Sequence, residues 1–169
     1  MNPTLASLLL DLSGLSDVEA EELTYQEYIK LYTVRQTRCG MIGVRETHDG
    51  DAVIFYEDRF YHAFFTTVDK ISRQYNKAKF DRVRGSRIRW IGEVIQGNID
   101  GTSCWYISDS PASIVKRLYV VWDEYYLVWL NPRKKGGWRF SSAYVADHKY
   151  IRRKTTKGSC FWRKITPRD

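Results

Sequence analysis

The chain has 169 residues, 43% of them hydrophobic and 28% charged, and a formal net charge of +7 at pH 7. That length suits one domain with a sizeable core. No apolar run approaches the roughly 20 residues a membrane span needs, and LASLLLDL near the start is interrupted by Asp11 with no basic residue before it, unlike a secretory signal. Cys39, Cys104 and Cys160 are scattered and lack metal-ligand spacing. This pattern predicts reduced thiols in a cytoplasmic protein.

Charge is distributed unevenly. Residues 1–29 carry six acids and no Lys or Arg, whereas residues 131–169 carry twelve Lys and Arg against two acids. A basic half invites a polyanion, and nucleic acid is the commonest one in cytoplasm. The bland alternative is a solubilising surface. The acidic start is either ordinary helix surface or a segment that folds back over basic residues.

Residues 2–12 read as a first helix, with Leu5, Leu8, Leu9 and Leu12 at helical spacing after an Asn2–Pro3 cap. A second helix spans about 17–32, capped by Ser16, with Asp17 and Glu19 where the helix dipole favours acids. The pattern loosens from 33 to 50, where Asp49-Gly50 signals a turn. AVIFYE (52–57) is a β-type run leading into EDRFYHAFF (57–65), and residues 66–80 are polar and lysine-rich. FDRVRGSRIRWIGEVIQGN (80–98) reads as one helix, ended by Gly97-Asn98 and weakened by Gly85 and Gly92. Four aromatic and β-branched runs follow, at 104–108, 116–123, 124–131 and 138–146, separated by turn residues. The expected fold is α+β: N-terminal helices, then an antiparallel sheet of about four strands with helices on one face.

Several chemistries are excluded by what is missing. The chain has no phosphate-cradling glycine loop, no HExxH, no paired-cysteine metal site, no Gly-x-Ser-x-Gly elbow and no carboxylate cluster of the two-metal kind. No cofactor is implied. The polar candidates are His62, several arginines, Ser141, Ser142 and Tyr144. Such an inventory suits metal-free cleavage of RNA, where the 2′-hydroxyl attacks the adjacent phosphate. A base must take the hydroxyl's proton, an acid must protonate the leaving oxygen, and fixed donors must surround the developing charge. Histidine serves the first two roles, and arginine forks and Ser or Tyr hydroxyls serve the third.

The blocks RFYHAFF, RGSRIRWIGEVI and WRFSSAYV, in that order across roughly residues 52–152, resemble the phage-associated members of the barnase–EndoU–colicin–RelE superfamily of metal-independent ribonucleases. Residues 1–45 and 153–169 lie outside the resemblance, and the chain is expected to divide into a helical segment over 1–45 and a nuclease-like α+β domain over 46–169 with a basic C-terminal tail. The resemblance implies active-site roles for His62, Arg87, Ser142 and Tyr144, with Arg59 as a fifth member. It also implies a cytoplasmic toxin of a toxin–antitoxin or phage-conflict system, with RNA as substrate and an antitoxin or immunity protein as partner.

Each residue also has a structural reading. His62, among Phe60, Tyr61, Phe64 and Phe65, is a core histidine or a proton-transfer group; Arg87 snorkels or clamps phosphate; Tyr144 packs across strands or donates to charge. Two further groups read as nucleic-acid grip: Arg82, Arg84 and Arg89 around the 80–98 helix, and Arg133, Lys134, Lys135, Trp138 and Arg139 on the last hairpin. The alternative function is a non-catalytic nucleic-acid-binding module with the same basic surface.

Overall fold

The computed structural model describes residues 4–66 and 79–165. The proposed Asn2–Pro3 cap and most of the lysine-rich stretch lie outside those residues. Among the described residues of the helix expected over 2–12 there is a single 3-10 turn, Ala6–Leu8. Leu10 and Leu12 are instead fixed by burial in the main core, and the Leu10 amide donates to the Ser86 carbonyl at 2.8 Å. Helix α1 (Asp17–Tyr32) begins at Ser16 with a capping box, in which Ser16 and Glu19 satisfy one another's backbone amides. Tyr28 and Tyr32 bury its inner face.

The loosely patterned stretch after α1 forms two strands, β1 (Arg35–Thr37) and β2 (Gly40–Glu46), and the AVIFYE run forms β3 (Ala52–Tyr56). A five-residue helix α2 (Arg59–Ala63) carries the histidine block, followed by a small separate pair, β4 (Phe65–Thr66) and β5 (Lys79–Phe80). The second half supplies β6 (Thr102–Ile107), β7 (Lys116–Val121), β8 (Tyr126–Pro132) and β9 (Trp138–Val145), paired antiparallel in chain order.

The expected 80–98 helix is two short ones, α3 (Arg82–Ser86) and α4 (Trp90–Ile95). The physical cause is Tyr32. Its hydroxyl donates to the Ile88 carbonyl at 2.6 Å and accepts from the Gly92 amide at 3.0 Å, standing between two groups that would otherwise bond to each other in a continuous helix.

The four-strand expectation understates the sheet. Eight strands run in the order β1-β2-β3-β9-β8-β7-β6-β10, where β10 (Gly158–Arg163) follows helix α5 (His148–Thr156). The sheet is mixed, because β3 pairs parallel to β9, and only at Val53–Trp138 and Ile54–Arg139. Helices cover both faces rather than one. Tyr28, Tyr32, Phe55, Phe60 and Trp90 fill the core on the first face, while Ile151 of α5 closes a smaller cluster of Leu118, Val120, Leu127 and Trp129 on the second. The sheet also curls strongly. His48, in the turn between β2 and β3, stacks on Trp162 of β10 with ring centroids 4.0 Å apart.

Among the described residues no helix is long and apolar enough to cross a membrane.

Candidate functional site

The short β3–β9 pairing shapes the region that carries the candidate residues. After Ile54 the two strands part, and α2 packs against β9 just beyond the end of β3. Phe60, Ala63 and Phe64 of that segment are buried in the first-face core. His62 lies on the opposite side of the short helix and is exposed. Of the two readings of EDRFYHAFF, the core histidine is therefore set aside.

Arg84 ties three separated sequence blocks together. Its guanidinium donates to the Ala63 carbonyl at 3.1 Å, pairs with Asp81 at 3.4 Å, and lies over the Tyr144 ring at 5.0 Å from the centroid. The residue after His62, helix α3 and strand β9 are thereby in direct contact. Arg87, one turn on, is placed differently. It lies over the Trp90 ring at 4.9 Å and donates to the Val83 carbonyl at 3.0 Å, while its Nε is buried and has no partner.

Tyr144 points to the second sheet face, away from the main core. Its hydroxyl accepts from Trp129 Nε1 at 3.0 Å and is 3.0 Å from the Tyr150 hydroxyl on α5. Burial, then the bond to Tyr150, pushes the phenol well above its ordinary range, so it stays protonated at neutral pH. Ser142 lies opposite Trp129 in the ladder, and a β-bulge leaves Ser141 without a cross-strand partner. Such bulges re-aim side chains. Both serines line a polar cleft of about 180 Å³ together with Tyr144, Asn131, Lys116 and Lys154. Lys154 is held there by an ion pair to Asp109 at 3.2 Å. Asn131 Oδ1 is buried without a hydrogen-bond partner. His62 is not part of this lining.

Arg59 lines a second cleft of about 220 Å³ with Arg139, Tyr56, Asp58 and Phe140. Burial, then the positive charge of Arg139, holds the Arg59 guanidinium below its ordinary range.

The residues read as grip divide into two sets. Arg82 donates to the Leu12 and Leu15 carbonyls at 2.6 and 3.0 Å and pairs with Asp17 at 3.0 Å. Arg89 pairs with the buried Glu27 at 2.7 Å. The acidic first helix thus pairs with this arginine block, and among the described residues none of its ion pairs reaches the basic stretch from residue 131 onward. Trp138 donates to Asp51 at 3.0 Å and lies against Arg117. These three side chains hold the fold. Lys134, Lys135 and Arg139 are exposed, and Arg133 donates to the Gly136 carbonyl at 3.4 Å within its own hairpin.

Sequence reasoning missed the contribution of α5 and β7 to the cleft. The signal was present for α5: Asp147 accepts from the Tyr150 amide as an N-cap, and Ile151 and Thr155 are buried one turn apart. Lys149, Arg152, Arg153 and Lys157 stand exposed on the same helix and its cap, so the basic tail is in part an ordered basic helix face.

Comparison of the chain with protein families, with curated proteins and with solved structures finds no match.

Proposed function

We propose that the protein is a metal-independent endoribonuclease of the barnase–EndoU–colicin–RelE type, acting in cytoplasm as a toxin of a toxin–antitoxin or phage-conflict system. The observation that carries this reading is the Arg84 contact set, which joins the histidine helix to Tyr144 beside the serine-lined cleft. In the proposed mechanism, the 2′-hydroxyl loses its proton as its oxygen attacks the adjacent phosphorus, and the 5′-oxygen leaves with a proton, yielding a 2′,3′-cyclic phosphate. His62, exposed on α2, moves one of those protons. Tyr144, held under Arg84, and Ser142 donate to the non-bridging oxygens, with the phosphate-clamp role kept for Arg87.

The exposed cations of α5 also favour a second reading, a binding-only module for nucleic acid. One experiment separates the two. Purified protein and its His62→Ala variant are incubated with total RNA in EDTA, and product ends are analysed. Cleavage to cyclic-phosphate ends, slowed about 10²- to 10⁴-fold in the variant, is the expected result. Because His62 is exposed, its truncation opens no cavity in the core, and the variant should stay folded. RNA binding without cleavage would establish the module instead.

A further inference from the structure

The arginines of this protein are mostly committed. Arg82, Arg84, Arg89 and Arg117 all have ion-pair partners. Arg59 and Arg139 differ: they line one cleft, and among the described residues neither guanidinium takes a hydrogen bond or an ion pair. Two guanidiniums facing one cleft repel, and the Asp58 carboxylate in the lining offsets that only in part. An anion with several oxygens relieves the repulsion and matches the planar donor forks.

The position of the cleft says which anion. Arg139 sits directly across the ladder from Asn131, and Asn131 lines the neighbouring cleft with Ser142 and Tyr144. Cross-strand neighbours stand about 5 Å apart, a distance that one nucleotide step of an extended strand can span. On the other side, Arg59 and His62 are one turn apart on α2.

Resting on the ribonuclease reading, we infer that Arg59 and Arg139 form a phosphate subsite for the RNA phosphate adjacent to the one attacked. The scissile phosphate then lies toward Ser142 and Tyr144, and the strand runs along β9.

The test uses a short 2′-O-methyl oligoribonucleotide, which lacks the attacking hydroxyl, so binding is read without cleavage. Affinity is measured by fluorescence anisotropy over a salt series for the full chain and for Arg59→Gln, Arg139→Gln and the double variant. The same series is run with each phosphate in turn replaced by an uncharged methylphosphonate. In the unmodified protein, one methylphosphonate position should weaken binding about tenfold, the scale of a charge-assisted hydrogen bond. In the double variant that position-specific loss should vanish, and the salt slope should fall by about 0.7 for the lost single-strand contact. Losses that simply add, or an unchanged slope, overturn the subsite. Arg139 is exposed, so Arg139→Gln keeps the test valid if Arg59→Gln fails to fold. The natural RNA is scored separately for cleavage. A vanishing loss without any cleavage removes the ribonuclease reading and leaves a phosphate site; cleavage with additive losses removes the subsite alone.

Discussion

Replacing Tyr144 with Phe separates a structural hydroxyl from a catalytic one. The substitution keeps the ring beneath Arg84 and deletes two hydrogen bonds, one from Trp129 Nε1 and one shared with Tyr150. Trp129 is only 8% exposed, but its indole N–H faces the polar cleft, where water can replace the lost acceptor. The stability cost should therefore be about 1–2 kcal/mol. Against a typical reserve of about 5–15 kcal/mol, that leaves nearly every molecule folded. If the phenol donates to the developing charge, the rate should fall about 10²- to 10³-fold. Tyr150→Phe is the control, because it removes the shared bond but leaves the Tyr144 donor. Urea melts give stability, and single-turnover cleavage in EDTA gives the rate per folded molecule. Equal rates for the two variants, or a Tyr144→Phe protein that cleaves at the unmodified rate, would refute the reasoning.

Arg117 anchors the curl of the sheet. It is 1% exposed, bonds Asp49 at 2.9 Å, Asp51 at 3.1 Å and the Tyr106 hydroxyl at 3.1 Å, and lies against Trp138. Arg117→Met should cost about 3 kcal/mol, the low end for breaking a buried pair, since both carboxylates retain contact with water; a urea midpoint implying less than about 1 kcal/mol would show that the network is not holding the turn. His48 gives a pH signature. Burial holds its pKa below the ordinary value, more strongly than Asp49 and Asp51 raise it, and Arg117 acts in the same direction as burial. Folding thus favours the neutral ring, so its contribution is complete above about pH 6.5 and is lost as pH falls from there toward the lower folded value. Melting temperature should decline over that window, and His48→Gln should flatten the decline; an equally steep decline in the variant would assign it to other groups.

The parts of the fold legible in the sequence were those governed by local rules. The Ser16 cap, the Asp49-Gly50 turn, the AVIFYE strand and the four later strands follow from capping, turn chemistry and alternation alone. What was illegible depended on distant partners. The 80–98 pattern is a sound helix until Tyr32, far away in sequence, inserts its hydroxyl. Strand β2 was masked by its glycines. Gly43 is required because a Cβ there would stand 2.1 Å from the Tyr32 carbonyl oxygen, a reason that exists only once α1 lies alongside. The candidate residues fared similarly. Residue type nominated Arg82, Arg84 and Arg89 alike, but only packing distinguishes Arg84, which meets Tyr144, from its neighbours, which staple α1 and the N-terminal segment.

The parting of β3 from β9 connects these observations. An unbroken ladder would separate the first-face core from the second face completely, since alternate side chains go to opposite sides. Here β3 pairs for two residues and then leaves, and the space beside β9 is taken by α2. A helix cannot continue the ladder, so polar side chains from the core side can pass the edge of β9. Arg84 does so, rooted beside the buried Gly85 and ending over Tyr144. Arg59 reaches the cleft with Arg139 near the point where β3 departs. The exposed His62 lies one turn beyond Arg59 on α2. Arg84 and Arg59 thus carry positive charge from a core-facing segment to residues of β9, an arrangement that no one element's sequence pattern encodes.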